Sequence, residues 1–179
     1  VIRADQLDQN PLLLGVSNGT VDLRTGQLRP NNREDFVTKR CPVAFNPKAS
    51  APRWIIFISE ITSTDGVVVQ GELNRKERRH LSKYLQKVLG YCLTGLTREH
   101  LLFIFIGDGS NGKNVLLDIF KSVGGDYVET IAPEVIMAAR FDNGADQASP
   151  STRKLAGARA AISSESKEHQ SLDVAVVKR

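Results

Sequence analysis

The chain has 179 residues, enough for one domain and part of a second, and its 41% apolar and 25% charged residues are the mix of an ordinary soluble globular protein. No apolar run approaches the roughly 20 residues that span a membrane, and Ile2, Arg3, Ala4 and Asp5 lead into no apolar signal-peptide core. A net charge of +4 permits an acidic partner such as nucleic acid without requiring one, and Cys41 and Cys92 lie too far apart to form a C-x-x-C pair. Buried free thiols in a reducing compartment are therefore expected, and His80, His100 and His169 show no ligand-like spacing.

In chain order, the first fifty residues read as short strands and turns. Residues 12–16 are apolar, Asn18-Gly19 is a hairpin-type turn, residues 20–23 alternate, and Thr25-Gly26 turns the chain before Gln27 and Leu28. Residues 43–45 are expected to add one more short strand. A helix follows, with Ser50 as its cap, Pro52 in its first turn, and an apolar stripe of Trp54, Ile55, Phe57, Ile58 and Ile61. The next helix starts near Asn74, with Glu77 three residues on as in a capping box, and carries Leu81, Tyr84, Leu85, Val88, Leu89 and Cys92 at helical spacing. Arg75, Lys76, Arg78, Arg79, Lys83 and Lys87 form its polar side. Cations in a first turn oppose the helix dipole, so this cluster does not serve helix stability; a solvated face and a nucleic-acid contact both fit it.

From Leu101 the pattern alternates strand and helix, the signature of an α/β sheet. The continuous apolar run 101–106 predicts a fully buried parallel strand. Val115, Leu116, Ile119, Phe120 and Val123 predict a helix stopped by Gly124-Gly125. Further strands are expected over 127–131 and 159–163, a short helix over 133–140, a loop over 141–149, and the start of a helix over 172–178.

Between the run 101–106 and the following helix stands Gly107-Asp108-Gly109-Ser110-Asn111-Gly112-Lys113, a match to G-x-x-x-x-G-K. The string is common by chance, but strand, loop and helix are the setting it requires. The glycines allow a tight turn whose N–H groups point at phosphate oxygens, the helix N-terminus adds its dipole, and Lys113 brings an ammonium to the β- and γ-phosphates. Asn114 stands where a Ser or Thr hydroxyl ordinarily meets Mg²⁺. Its amide oxygen is a hard donor of different reach, so nucleotide binding is the firmer expectation than rapid hydrolysis. The acid that would hold Mg²⁺ or activate water is sought at the end of a neighbouring strand. Glu165 is the candidate, an exposed loop glutamate fits the pattern equally, and Glu168 and Asp173 are alternatives.

These residues also carry a resemblance. Asn18-Gly19 with Val21-Asp22-Leu23, Trp54, Leu89-Gly90-Tyr91 with Leu93-Thr94-Gly95, the loop 107–113, Leu155 with Gly157 and Arg159, Ser164-Glu165 and Lys178 together resemble the phage and plasmid primase-helicases, whose C-terminal part is a superfamily 3 helicase. The resemblance implies an ATP- and Mg²⁺-dependent DNA helicase of replication in the host cytoplasm, assembled as a homo-oligomeric ring, usually a hexamer. It implies a helical lead-in and a partial helicase core over 74–179, the core an AAA+-like P-loop NTPase parallel sheet incomplete at the C-terminus, preceded by a small mixed β/helical, helicase-associated region over 1–73. Lys113 and Glu165 would be its catalytic residues, Gly107, Asp108, Gly109, Ser110, Asn111, Gly112, Lys113 and Asn114 its nucleotide contacts, and Asn114 and Glu165 its metal ligands. The start at Val1 and the end at Arg179 read as those of a fragment that stops before the sensor residue, the DNA-binding hairpin and the arginine finger. Such a piece is expected to be poorly stable and not to hydrolyse ATP. Two other classes compete: a P-loop kinase, disfavoured because Arg140, Arg153 and Arg159 form no compact lid, and a truncated, non-hydrolysing nucleotide-binding or interaction module.

Overall fold

Leu13–Val16 (β1) and Gly19–Asp22 (β2) form a hairpin around Ser17 and Asn18, and Gln27–Arg29 (β3) adds to β2. Both pairings are antiparallel, with Val16 opposite Gly19 and Asp22 opposite Gln27. The computed structural model describes residues 2–62, 75–99, 101–106, 109–135 and 155–163; for Ala4, 75–79 and Glu134 it describes the backbone alone. After β3 come two helices, Pro52–Ile61 (α1) and Arg75–Cys92 (α2), and then Lys113–Gly124 (α3), Val128–Ile131 (β4) and Ala160–Ser163 (β5). β4 and β5 pair in parallel, with Val128 opposite Ala160 and Ile131 opposite Ser163. The chain is thus a mixed α/β structure with a small antiparallel sheet and a two-stranded parallel pair. Among the described residues, no helix is long and apolar enough to cross a membrane.

Every residue of β1 is buried, and the reason lies across the chain. Leu14, Val16 and Val21 pack with Cys41 and Tyr127 in one cluster, flanked by Leu23 and Phe45. Tyr127 is fully buried. Its hydroxyl accepts from the Gly15 N–H at 2.9 Å and donates to the Lys39 carbonyl at 2.8 Å. Backbone bonds repeat the connection: Cys41 N–H to Gly15 O at 2.9 Å, Asp126 N–H to Arg40 O at 3.2 Å, and Gly95 N–H to Pro11 O at 2.8 Å. The antiparallel sheet and the β4–β5 pair therefore share a core.

Several local expectations change. Residues 43–45 form no strand. Instead the Asn18 side chain does the work of a peptide group, accepting from Phe45 N–H at 2.9 Å and donating to Phe45 O at 3.0 Å. The cap position of α1 is Ala51, with no side-chain cap, so Ser50 lies one residue too early. Ile55 leaves the α1 stripe: it is turned about 100° from Trp54 and is 65% exposed. Residues 133–135 make a single 3₁₀ turn, and 136–140 lie outside the described residues, as do Asn74, 141–149 and 172–178.

The largest change concerns 101–106. The run belongs to no strand, and Leu101, Leu102, Ile104 and Ile106 are exposed, Ile106 by 90%. An unbroken apolar run says that both faces favour cover, but a strand exists only where neighbours complete its ladder. Among the described residues β4 pairs with β5 alone, and neither pairs with 101–106. Likewise α3 buries only Leu116, Phe120 and Gly124 of its apolar side, leaving Val115, Ile119 and Val123 exposed.

The shared core gives a pH dependence. Burial pushes the Cys41 thiol up to about 11 from an ordinary 9.0, with Arg159 opposing and Asp126 adding to the shift. Burial also raises the Tyr127 hydroxyl. The folded state holds these protons more tightly than the unfolded chain, so the associated stability is complete below the unfolded values and is lost as pH rises through the folded ones. Stability is expected to fall steadily between about pH 9 and 11, and to fall less steeply in Cys41→Ala. Thermal melts across that window check this, and identical slopes in the two proteins would contradict it.

Candidate nucleotide-binding site

The loop before α3 is built by two residues with left-handed backbone, Ser110 at φ 59° and Gly112 at φ 82°. That conformation is natural for Gly112 and unusual for Ser110. Gly112 is the N-cap of α3 and provides no side-chain cap; α3 carries no acidic residue in its first turn. The first-turn N–H groups and the positive end of the helix dipole are thereby directed at whatever lies before the helix. Around Gly109 there is open space: a methyl group built there would meet nothing within 4 Å. Lys113 is half-buried, and its Nζ donates to Asn111 Oδ1 at 3.0 Å, across the loop it would serve.

Of the residues expected at the site, Gly109, Ser110, Asn111, Gly112, Lys113 and Asn114 are thus brought together in one loop and the helix turn that follows. Asn114 is exposed in that first turn. Gly107, Asp108, Ser164 and Glu165 lie outside the described residues. The strand expected to lead to Glu165 exists as β5, ending at Ser163 beside Ile131 of β4.

One contact had no sequence signal. A methyl group on Gly112 would come within 2.5 Å of Ile61 Cγ2 and 3.3 Å of Phe57 Cε2. The last two turns of α1 therefore press on the loop at its left-handed glycine. The stripe on α1 was visible in the sequence, but a stripe does not name the surface that covers it.

The donor set suits an anion: backbone N–H groups at an uncapped helix start, one lysine, and open space above a glycine. For a divalent cation, Asn114 offers an amide oxygen of the required hard type.

Residues 1–63 match the family described as D5 N terminal like. Over 175 residues the chain is 25% identical to a protein of Acanthamoeba polyphaga mimivirus named "Putative helicase", an alignment covering 96% of this chain and 17% of that protein. Over 154 residues it is 22% identical to a protein of Invertebrate iridescent virus 3 also named as a "Putative helicase", covering 86% of this chain and 15% of the viral one. The chain spans about a sixth of the length of these curated relatives. It is related, at low identity, to viral proteins named as helicases.

Proposed function

We propose that loop 107–114 binds the phosphates of a nucleoside triphosphate, ATP with Mg²⁺, and that the chain is part of an ATP-hydrolysing DNA helicase of viral replication. The observation that carries this reading is Lys113, which opens α3 directly behind an uncapped, left-handed Gly112. The relatives' names support the helicase assignment. Under it, 74–179 belongs to a P-loop NTPase sheet of the superfamily 3 type, in which 101–106 acquires neighbours. The full-length protein acts on DNA as a homo-oligomeric ring, a hexamer by family resemblance.

The chain's own residues would act as follows. Backbone N–H groups of 109–113 hold phosphate oxygens, and the α3 dipole favours their charge. Lys113 exchanges Asn111 Oδ1 for a phosphate oxygen, which places its ammonium where charge accumulates during transfer. Asn114 and Glu165 would hold Mg²⁺, which supplies charge neutralisation at the phosphates. The amide of Asn114 in place of a hydroxyl favours binding over fast turnover. That leaves a second reading, a nucleotide-binding module without hydrolysis.

Calorimetric titration of the purified chain with ATP, with and without Mg²⁺, tests the site. Lys113→Ala is expected to weaken binding about tenfold or more, the loss of a charge-assisted contact to phosphate. Equal affinity in the two proteins would show that 107–114 is only a turn.

A further inference from the structure

α1 is a helix of ten residues, none of them fully buried. Its half-covered face is Trp54, Phe57, Ile58 and Ile61, four side chains within about 100° of one another. Phe57 and Ile61 touch Gly112 of the loop. Trp54 is one turn further out and lies against Phe57, with ring centroids 5.7 Å apart and planes inclined by 37°. The C-terminal end of α1, next to Ile61, is also fixed. Thr62, 3% exposed, donates to Ile58 O at 2.7 Å and lies 2.9 Å from Ser82 Oγ of α2. An aromatic pair is thus mounted on an anchored helix beside the loop, with part of each ring left open.

We infer that the Trp54–Phe57 pair is the wall on which the base of the bound nucleotide stacks. The inference rests on the phosphate-site reading above and adds what that loop lacks, a contact to the non-phosphate half of the ligand. Two arguments support it. A triphosphate on the 109–113 loop must send its sugar and base outward, and α1 lines that loop with apolar surface. From Ile61 to Trp54 is about 10 Å along the helix axis at 1.5 Å per residue, a distance suited to the ribose and base beyond the phosphates. Every base has a π face, so a stacking wall accepts purines with little discrimination between them, and larger rings bind better than pyrimidines. Trp54 offers the widest surface and the outermost place.

Trp54 is the only tryptophan of the chain, so its fluorescence reports on this site alone. Titration with ATP is expected to quench its emission, whereas inorganic tripolyphosphate, which lacks a base, is expected to bind without quenching. By calorimetry, Trp54→Ala is expected to weaken ATP about tenfold while leaving tripolyphosphate unchanged, and Trp54→Phe to retain most of the affinity. Unchanged tripolyphosphate affinity and circular dichroism in Trp54→Ala separate a lost stack from a lost fold. If ATP gives no quenching, or if Trp54→Ala weakens ATP and tripolyphosphate equally, the wall is overturned. If Lys113→Ala leaves binding intact while quenching persists, the phosphate reading fails and the wall stands. Lys113-dependent tripolyphosphate binding without any effect at Trp54 is the reverse case.

Discussion

Arg159→Ala is expected to lower the free energy of unfolding by about 3 kcal/mol, one of the two largest effects any single substitution here should produce. The guanidinium sits where three parts of the chain meet. Nη1 donates to Leu93 O at 2.7 Å, Nη2 donates to Leu13 O, and the group lies over the Tyr127 ring with Cζ 4.3 Å from its centroid. The first carbonyl follows α2, the second opens β1, and the ring precedes β4. Truncation leaves two carbonyls without their donor, at about 1–3 kcal/mol for each buried one, and removes a cation–π contact of about 1 kcal/mol. Opposing this, burial already disfavours the charge, as the lowered affinity of Arg159 for its proton shows, with the field of Tyr127 and then Asp8 acting the other way. The penalty is moderated because the residue is only half-buried. Arg159→Lys separates the contributions: an ammonium keeps the charge but has neither the fork for two carbonyls nor the flat face for the ring. It should recover less than half of the loss. Urea unfolding of the three proteins measures this, and an Arg159→Ala midpoint equal to that of the parent would overturn it.

That junction also marks where the sequence stops being informative. The three strands were legible from their turn residues, but the hairpin turn lies one residue earlier than expected, at Ser17-Asn18, with Gly19 already in β2 opposite Val16. The ranges of α2 and α3 followed from helical spacing, and the parallel pair β4–β5 lies within a residue of the expected strands. The G-x-x-x-x-G-K string was readable because its elements are local: glycines, a lysine and a helix start. What could not be read is long-range. No period marks Tyr127 as the partner of Gly15 and Lys39, or Arg159 as the partner of Leu13 and Leu93, since each bond joins segments at least 66 residues apart. The run 101–106 shows the same limit in reverse. Its composition favours burial, yet burial depends on neighbours that composition does not supply.

Gly15→Val is the second large effect, and here two principles predict opposite signs. Gly15 lies inside β1, where a β-branched residue should gain up to about 1 kcal/mol over glycine from strand preference and reduced chain entropy. Its surroundings forbid that gain. A Cβ at Gly15 would stand 2.4 Å from the Lys39 carbonyl oxygen, 3.1 Å from Val37 Cγ1 and 3.3 Å from the Tyr127 hydroxyl. The first of these is backbone and cannot rotate away, so the 37–41 segment must move off β1. Moving it stretches two bonds at once, Tyr127 O–H to Lys39 O and Cys41 N–H to Gly15 O, and the added side chain also crowds the Tyr127 hydroxyl that accepts from Gly15 N–H. Overpacking costs about 1–3 kcal/mol by itself, and each weakened buried bond adds about 1 kcal/mol. Destabilisation of about 2 kcal/mol is expected for Gly15→Ala and about 4 kcal/mol for Gly15→Val. In Gly15→Val the Cys41 thiol should also become reactive toward alkylating reagents under native conditions, because the segment that carries it is the one displaced. A Gly15→Val protein as stable as its parent, with Cys41 still protected, would mean that strand preference outweighs the contact and that the 37–41 segment does not lie against β1.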